Sequence, residues 1–332
     1  MKFTLDSRLF AVCAFGALLT FSTSADQSAR RKVILDTDIG ADLDDQVAVA
    51  YLAQEPLCEL VGVTTVGGGS HVRASMVSSI LRHVGRGDVP VFPGVTNGVS
   101  RNTRVGGNGP NVGQILAKWA HDEYRPGNKA VEFMRRTIRE NPGEISLIAI
   151  GPFSNVATLF REDPEIPSLI RELVVMGGNF SGEIEWNALC DPEATAVIYD
   201  MWKGPGRFLS VGNDVTGKTH MNETEARRFF EGRRSLGPAY DLAQAWLNSH
   251  HYAILHDPLA CVALFHPEVC TTAKARIVVS LDGATAGSCT RIPPWYSRVL
   301  AAPDAQVAPE PHTVATDANV GLFYEILSKC LK

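Results

Sequence analysis

The sequence lacks the features of several common classes of protein. Its 332 residues carry a formal net charge of −5 and contain no block of basic residues, which argues against binding to nucleic acid or to an anionic membrane. No two cysteines have the Cys-x-x-Cys spacing of a zinc site. No internal repeat, low-complexity block or linker divides the chain. What is present is a composition of 45% hydrophobic and 20% charged residues, which is typical of a globular protein with a large core.

The first 25 residues have the pattern of a secretory signal peptide. Lys2 and Arg8 supply positive charge, an apolar segment extends from residue 9 to residue 21, and Thr23 and Ala25 are small residues typical of a cleavage site. The apolar segment is too short to span a bilayer comfortably, and no second segment is long enough. We therefore expect cleavage near Ala25 and export of the mature chain, either secreted or periplasmic if the source is a Gram-negative bacterium.

Cleavage would leave six cysteines in the mature chain. In an exported protein they could form disulfides, whose pairing the sequence does not specify, or remain as buried thiols. These cysteines are Cys58, Cys190, Cys261, Cys270, Cys289 and Cys330.

Alternating strand and helix patterns predict an α/β fold. Apolar segments with helical spacing separate short β-branched or apolar runs, which predict strands at 33–35, 60–66, 89–92, 145–150, 173–176 and 275–281. A closing helix is expected at about 320–330, a Gly- and Asn-rich loop that could serve as a lid at 100–113, and an irregular connection at 301–311. Strands that alternate with helices form right-handed βαβ units. We therefore expect a single domain over residues 32–330, with a mostly parallel, doubly wound sheet flanked by helices.

A cluster of aspartates follows the first predicted strand. Its five members within ten residues are Asp36, Asp38, Asp42, Asp44 and Asp45. Open α/β sheets place ligand sites at the carboxyl ends of strands. Carboxylates this close together repel one another unless a hard cation or hydrogen-bond donors neutralise them, so a metal site is the simplest interpretation. The alternative is a solvated acidic turn in which Asp44 or Asp45 caps the following helix.

Three further polar motifs are ambiguous when each is taken alone. Glu185 and Asn187 are alternate residues, so on an extended chain their side chains would point the same way and could converge on a polyol. Asp191 precedes a proline and is expected to be a helix N-cap. His256 and Asp257 also precede a proline, so Asp257 could cap the helix that begins there, and His256 could be either structural or catalytic.

Taken in order, these motifs resemble the nucleoside hydrolase family of the inosine-uridine type. The resemblance extends from about Lys32 to the C-terminal helix, which is nearly the whole mature chain. It implies a hydrolase that cleaves the N-glycosidic bond of a ribonucleoside and releases the free base and ribose. The matching motifs are Asp-Thr-Asp-x-Gly-x-Asp-x-Asp-Asp, Gly-Pro-Phe-Ser-Asn, Met-Gly-Gly, Glu-Trp-Asn, Asp-Pro-Glu-Ala and His-Asp-Pro.

The resemblance also implies roles for individual residues. A calcium ion would be held by the side chains of Asp38, Asp45 and Asp257 and by the backbone carbonyl of Ile150. Asp38 would in addition be the general base towards water, and His256 would protonate the departing base. The residues that would bind the sugar hydroxyls are Asp44, Glu185 and Asn187.

Two departures from the family pattern concern the substrate. After the second strand the family commonly has an Asn or Asp, where this chain has three glycines, so one ribose contact is missing or is supplied by Ser70 or His71. The segment between Gly178 and Glu185 is short and lacks the Asn that some relatives use for the 5′-hydroxyl, with Asn179 as a weak substitute. These departures keep a non-catalytic nucleoside- or ribose-binding protein as the alternative function.

Other properties are less specified by the sequence. A magnesium-dependent phosphohydrolase built on the Asp-x-Asp turn is a third hypothesis, but the glycine run at 67–69 lacks the Lys-Ser/Thr of a P-loop. Relatives are commonly dimers or tetramers, so a homo-oligomer is expected. Four residues on a predicted helix before the His-Asp motif could stack on a nucleobase or be ordinary core and surface residues: Trp246, His250, His251 and Tyr252.

Overall fold

The computed structural model describes residues 30–100, 103–104, 106–109, 111–292 and 312–331. The predicted signal peptide at 1–25 and the predicted irregular connection at 301–311 lie outside these residues. Among the helices that are described, none is both long enough and apolar enough to cross a bilayer.

Nine of the described strands form one sheet, and two short strands form a separate ladder. The strands are β1 (Arg31–Thr37), β2 (Cys58–Thr65), β3 (Val91–Pro93), β4 (Ile145–Ala149), β5 (Glu172–Met176), β6 (Arg207–Val211), β7 (Met221–Asn222), β8 (Tyr252–Ala253), β9 (Cys270–Val279), β10 (Cys289–Ile292) and β11 (His312–Ala318). The order in the large sheet is β10-β9-β11-β6-β5-β4-β1-β2-β3. Only the pairings made by β9 are antiparallel, so the sheet is mostly parallel, as expected.

Helices occupy most of the connections between these strands. Within the described residues they are α1 (Asp44–Gln54), α2 (Ser70–His83), α3 (Val112–Lys118), α4 (Ala130–Glu140), α5 (Ser154–Glu162), α6 (Ile166–Leu169), α7 (Trp186–Cys190), α8 (Pro192–Met201), α9 (Asn213–Thr216), α10 (Glu223–Glu231), α11 (Pro238–His250), α12 (His256–Phe265) and α13 (Val320–Cys330).

Strand β1, which lies between β4 and β2, shows why helices cover both faces of the sheet. Val33 and Leu35 pack into one hydrophobic cluster together with residues of α1, α2, α11 and α12. Ile34, between them, packs into a second cluster with residues of α4, α5 and α8. Successive side chains of a strand point to opposite faces, so a continuous apolar run is buried on both sides. The α/β class and the doubly wound, helix-flanked sheet are thereby confirmed.

The direction of the chain reverses on either side of β1. From β1 the chain continues to β2 and then β3 in one direction, and it returns to place β4 on the opposite side of β1. The loops that follow β1 and β4 therefore diverge and leave a crevice at the carboxyl ends of the strands, where doubly wound sheets bind their ligands.

Several local expectations can be compared with the structure. The closing helix is confirmed, and Asp191 caps α8 by accepting a hydrogen bond from the backbone N–H of Ala194 at 3.2 Å. The late strand begins at Cys270, five residues before its expected start at 275. The loop expected to reach residue 113 ends earlier, because α3 begins at Val112, whose side chain is buried in the core. Five of the six cysteines are buried thiols: Cys58, Cys190, Cys261, Cys270 and Cys289.

Candidate active site

A cavity of about 330 Å³ opens at the carboxyl ends of β1, β4, β5 and β6. The turn after β1, the loop that follows β4, the N-terminal part of α7 and the start of α12 all contribute to its lining. The sequence-predicted site residues that line this one cavity are Asp38, Asp44, Asp45, Ile150, Glu185, Asn187, His256 and Asp257. The fold thus brings together every residue that was assigned to catalysis, metal binding or sugar binding, although they belong to distant segments of the chain.

The turn after β1 sets the direction of the clustered aspartates. Gly40 has a φ of 112°, a conformation that residues with a Cβ rarely adopt, and this turns the chain into α1. Asp44 and Asp45 are the first two residues of α1, while the N-cap position is Leu43, without a side-chain hydrogen bond. The interpretation of these two aspartates as helix caps is therefore wrong, and their carboxylates are available to the cavity.

Asp36 faces a different direction from the other aspartates. Its carboxylate accepts hydrogen bonds from the hydroxyl of Thr64 at 2.6 Å and from the side-chain amide of Asn155 at 2.8 Å. Burial raises the pKa of Asp36 to about 7, against the effect of these two donors. Asp36 thus ties β1 to β2 and α5 and is not a member of the cavity lining.

Three buried carboxylates form a compact cluster in the cavity. Asp44, Asp45 and Asp257 each offer an oxygen within 4.8 Å of the others. Burial raises the pKa of all three groups, and their mutual repulsion adds to the rise for Asp45 and Asp257. The Asp257 backbone N–H donates to Asp44 at 3.0 Å, and the Thr37 hydroxyl donates to Asp45. No donor to the Asp257 carboxylate is found among the described residues, so no hydrogen bond offsets the repulsion on this side of the cluster.

The donor set of this cluster fits a hard cation. Three carboxylates and the backbone carbonyl of Ile150, which lines the same cavity, are oxygen ligands, as hard divalent cations prefer. Among the described residues no cysteine lines the cavity, and the one histidine of the lining, His256, is not part of the compact cluster. The cluster can therefore hold a metal ion of the oxygen-binding class.

Asp38 lies beside the compact cluster, which differs from the ligand set that the resemblance implies. The cluster contains Asp44, for which a sugar contact was expected, whereas Asp38 lines the cavity next to it. The Asp38 carboxylate is 3.9 Å from the guanidinium of Arg73. Burial raises the pKa of Asp38, and the positive charge of Arg73 opposes that rise. Gly151 contacts Asp38 so closely that a Cβ there would lie 2.8 Å from its backbone nitrogen.

Arg73 is a functional candidate that sequence reasoning missed. It lies on α2 and its side chain is fully buried. Its guanidinium donates to the carbonyls of Ile39 at 2.9 Å, Gly68 at 3.3 Å and Gly106 at 3.0 Å, and so joins the turn after β1 to two glycine-rich segments. A single arginine inside a helical pattern reads as a solvated residue, and nothing in the sequence indicates that carbonyls from three separate segments surround it.

His256 begins α12 at the edge of the carboxylate cluster. Its Nδ1 lies 2.6 Å from the hydroxyl of Thr216 on α9. Burial lowers the pKa of His256, and the negative charge of Asp44 opposes that effect. Among the described residues nothing bonds to its other ring nitrogen, Nε2. The contact with Thr216 therefore orients the ring and leaves one nitrogen for a ligand.

Glu185 and Asn187 line the cavity, but the expectation that they lie on an extended chain is wrong. Glu185 is the N-cap of α7, and its carboxylate accepts from the backbone N–H groups of Asn187, Ala188 and Gly178 at 2.7–3.0 Å. Burial nevertheless raises the pKa of Glu185 to about 7. The Asn187 amide donates to the Ile150 carbonyl at 2.8 Å. Side-chain capping winds this segment into a helix, which sequence alternation alone does not reveal.

The structure also resolves the two departures in the substrate-binding segments. The Ser70 hydroxyl donates to the carbonyl of Gly94 at 2.8 Å, and neither Ser70 nor His71 is part of the described cavity lining. Asn179 does not line the cavity either, but its amide donates to Asn213, which does. Asn213 follows β6 and was not identified from the sequence, since only tertiary contacts place it beside Glu185.

Of the four candidate base-stacking residues, only Trp246 lines the cavity. Its ring stacks on His250 with centroids 3.6 Å apart, and its indole N–H donates to the carbonyl of Tyr252 at 2.8 Å. The helix ends at His250, so the expectation that His251 and Tyr252 lie on it is wrong. The His251 ring instead lies 3.0 Å from Glu223, outside the cavity.

Comparison with known proteins agrees with this geometry. The model of the family described as inosine-uridine preferring nucleoside hydrolase matches residues 33–325. A probable uridine nucleosidase 1 of rice, Oryza sativa, is 29% identical over 287 residues, which cover 80% of this chain and 86% of the rice protein. The pyrimidine-specific ribonucleoside hydrolase RihB of Escherichia coli is 26% identical over 328 residues, covering 91% of this chain and 97% of RihB.

Solved structures show the same fold. The plant nucleoside hydrolase PpNRh1 superposes with a TM-score of 0.75 at 22% identity, covering 91% of this chain and 98% of its own. A purine-preferring ribonucleoside hydrolase from Gardnerella vaginalis gives a TM-score of 0.74 at 21% identity with the same coverage. The match to the family model over most of the chain confirms the resemblance seen in the motifs: the chain belongs to the inosine-uridine preferring nucleoside hydrolase family, whose members hydrolyse N-glycosyl bonds.

Proposed function

We propose that this protein is an exported, calcium-dependent hydrolase that cleaves ribonucleosides to free base and ribose, with Asp38 and His256 as its catalytic residues. The observation that carries the proposal is the convergence of all eight candidate residues on one cavity, with three buried carboxylates gathered in it. A non-catalytic binding protein is less consistent with this arrangement, because the proposed base and acid are both retained in the cavity.

The reaction requires charge stabilisation at the sugar and proton transfers at two points. Breaking the N-ribosidic bond builds positive charge on the ribose ring, which the carboxylates of the cavity can stabilise. A hard cation held by Asp45, Asp257 and their neighbours would lower the pKa of a water molecule and orient sugar hydroxyls. Asp38 accepts a proton from the water whose oxygen bonds to C1′. The electron pair of the broken bond leaves with the base.

His256 is proposed to donate a proton to the departing base. A heterocyclic base is a poor leaving group unless it is protonated, and the negative charge of Asp44 favours the protonated form of His256 against the effect of burial on its pKa. The contact between Nδ1 and Thr216 leaves Nε2 as the atom that can transfer the proton. Asp44, at the start of α1, and Glu185 and Asn187, at the start of α7, are proposed to hold the sugar hydroxyls.

Calcium is proposed because the available oxygens combine carboxylates with a backbone carbonyl. Calcium tolerates six to eight oxygen ligands in flexible geometry, whereas magnesium demands a near-ideal octahedron and retains its water. Binding can be measured by calorimetry of metal-free protein with calcium and magnesium. Tighter binding of magnesium, or no binding of either ion, would contradict this assignment.

The remaining properties of the enzyme are also proposals. Residues 1–25 are proposed as a cleaved signal peptide, residues 32–330 as one catalytic domain, and the mature protein as a homo-oligomer. The rice and E. coli relatives are named for uridine and for pyrimidine ribonucleosides, so uridine is the first substrate to test. Edman sequencing of the exported protein and light scattering of the purified protein test the processing and the oligomeric state.

The central experiment measures free ribose released from a panel of ribonucleosides. The mature protein is compared with Asp38→Ala and with Asp163→Asn, a control that removes a carboxylate that follows α5 and does not line the cavity. Release that is lost in Asp38→Ala, retained in the control and reduced by thorough chelation is expected. No release from any nucleoside by folded, calcium-loaded protein would refute the hydrolase and favour the binding protein, and phosphate release from nucleotides would favour a phosphohydrolase.

A further inference from the structure

Asn213 brings an amide group into the cavity from an element that the motifs do not cover. It is the first residue of α9, directly after β6. Its backbone N–H donates to the carbonyl of Gly178 at 3.0 Å, and the backbone N–H of Gly178 donates to Glu185 at 3.0 Å. At the other end of α9, Thr216 contacts His256. Asn213 therefore lies between the proposed sugar contact of Glu185 and the proposed acid.

A close approach of two backbones fixes this position. A Cβ at Gly212 would lie 2.7 Å from the carbonyl oxygen of Gly178, so only glycine allows the end of β6 to pass this near to the loop after β5. The position of Asn213 is thus set by the sheet itself and does not depend on a long loop. An amide held in this way loses little conformational entropy on binding a ligand.

Hydrogen bonds in the loop after β5 determine which end of the Asn213 amide faces the cavity. The backbone N–H of Ser181 donates at 2.8 Å to the Asn179 side chain, and since an N–H can only donate, the atom that accepts is Oδ1. The other end of Asn179 is then Nδ2, which donates to Asn213 at 2.5 Å, so that atom of Asn213 is Oδ1. The Asn179 side chain is 2% exposed and cannot exchange these partners for solvent.

The remaining polar atom of Asn213 is Nδ2, a hydrogen-bond donor. Among the described residues no acceptor bonds to it, and Asn213 lines the cavity. Glu185 lies on the same side and presents a carboxylate, which only accepts when ionised. A donor next to an acceptor matches a hydroxyl group, which can bond to both at once.

We propose that Asn213 is a substrate-binding residue whose amide donates to the 5′-hydroxyl oxygen of the nucleoside, and that Asn179 is the positioning residue that sets its polarity. The assignment rests on the proposed function, in which the ring hydroxyls are held at the carboxylate cluster by the metal ion and Asp44. The hydroxyl left for the Glu185 side of the cavity is then the one on C5′. This contact replaces the asparagine that is missing between Gly178 and Glu185.

The test compares uridine with 5′-deoxyuridine as substrates. One neutral hydrogen bond corresponds to a loss of about tenfold. We expect Asn213→Ala to lower kcat/KM for uridine by about that factor and to leave kcat/KM for 5′-deoxyuridine nearly unchanged, because the partner group is already absent. The proposal would be overturned if Asn213→Ala lowered kcat/KM equally for both substrates, or if the loss depended on which nucleobase the substrate carries rather than on its 5′-hydroxyl.

Asn179→Asp tests the positioning role separately. An ionised aspartate at this position can no longer donate to Asn213, so the Asn213 amide is expected to turn and to present its oxygen to the cavity. The discrimination between uridine and 5′-deoxyuridine should then fall as it does in Asn213→Ala, with circular dichroism and melting temperature checked for both variants. Unchanged discrimination in folded Asn179→Asp would refute the positioning role.

Failure of the proposed function can be distinguished from failure of this contact. If the wild-type protein hydrolyses neither substrate, the hydrolase proposal fails. The contact between Asn213 and the 5′-hydroxyl is then tested by calorimetry, in which calcium-loaded protein is titrated with ribose and with 5-deoxyribose. A preference for ribose that Asn213→Ala removes supports it. Equal binding of the two sugars by the wild-type protein overturns it.

Discussion

Replacing Asp257 by asparagine is expected to stabilise the metal-free protein while it weakens binding of the metal ion. The Asp257 carboxylate lies within 4.8 Å of the carboxylates of Asp44 and Asp45, and no described residue donates a hydrogen bond to it. Asparagine has nearly the same shape, carries no charge, and can donate from its amide to the two remaining carboxylates. The substitution therefore replaces repulsion by attraction in the metal-free state.

The magnitude follows from the separation of the charges. Two unit charges 4.8 Å apart repel by about 3.5 kcal/mol at an effective dielectric constant of 20. The raised pKa of Asp45 and of Asp257 indicates that protonation already relieves part of this repulsion. We therefore expect a gain of about 1–3 kcal/mol in the free energy of unfolding, which corresponds to a rise of at least about 2 °C in melting temperature.

With calcium bound, the wild-type protein should be more stable than Asp257→Asn. An ion present at a hundred times its Kd stabilises the wild-type protein by about 2.7 kcal/mol, and the variant, which lacks one ligand charge, should gain much less. Melting temperatures measured with chelator and with excess calcium check both statements. The matched control is Asp122→Asn, which removes a half-exposed carboxylate paired with Arg82. It should change neither the melting temperature in chelator nor the rise in melting temperature that calcium produces. A metal-free Asp257→Asn protein that is less stable than metal-free wild type would refute the reasoning.

Three other substitutions test the supports of the site and of the fold. Arg73→Met leaves several buried carbonyls without a donor and should lower the free energy of unfolding, measured by urea titration, by about 3–5 kcal/mol. Arg73→Lys should recover part of this loss, and a loss below about 1 kcal/mol in Arg73→Met would contradict the burial of the guanidinium. Gly151→Ala places a Cβ 2.8 Å from the Asp38 nitrogen and should lower kcat by about 10- to 100-fold in a protein that remains folded by circular dichroism; unchanged kcat would argue against Asp38 as the base. Asp163 accepts two hydrogen bonds from the guanidinium of Arg139, and this pairing lowers the pKa of the Asp163 carboxyl. The ion pair therefore stabilises the fold at neutral pH, and this stabilisation is lost as the pH falls below about 4 and through the lowered pKa. The difference in unfolding free energy between wild type and Asp163→Asn, about 1 kcal/mol at pH 7, should therefore shrink towards pH 3, and a difference that persists there would contradict the ionic origin.

Local patterns in the sequence were sufficient for the fold class. The apolar run in β1 indicated a strand buried on both faces, and alternation with helical segments indicated a parallel sheet. Such patterns are local because a strand and a helix each impose one periodicity on neighbouring residues. The aspartate cluster was also visible, since its density within ten residues is itself unusual.

Local patterns failed where side chains bond to the backbone. The Glu185 segment alternates like an extended chain, but the Glu185 carboxylate satisfies three backbone N–H groups and begins α7. In the same way, Asp44 in the first turn of α1 looked like a cap, yet its carboxylate faces Asp257. Whether a carboxylate caps its own helix or reaches another segment depends on neighbours that are distant in sequence.

By itself the sequence determined the alternation of strands and helices from β1 to β5, the aspartates that follow β1, and the family to which the chain belongs, but it did not predict the strands β6, β10 and β11 of the same sheet. Only the tertiary structure decided which groups meet in the cavity. Because β4 pairs with β1, Ile150 lies beside Asp38 and Asp36 bonds to Asn155. Asn213 reaches the cavity from the end of β6. These contacts join residues that lie far apart along the chain, and their geometry arises from sheet order and burial, which no local periodicity encodes.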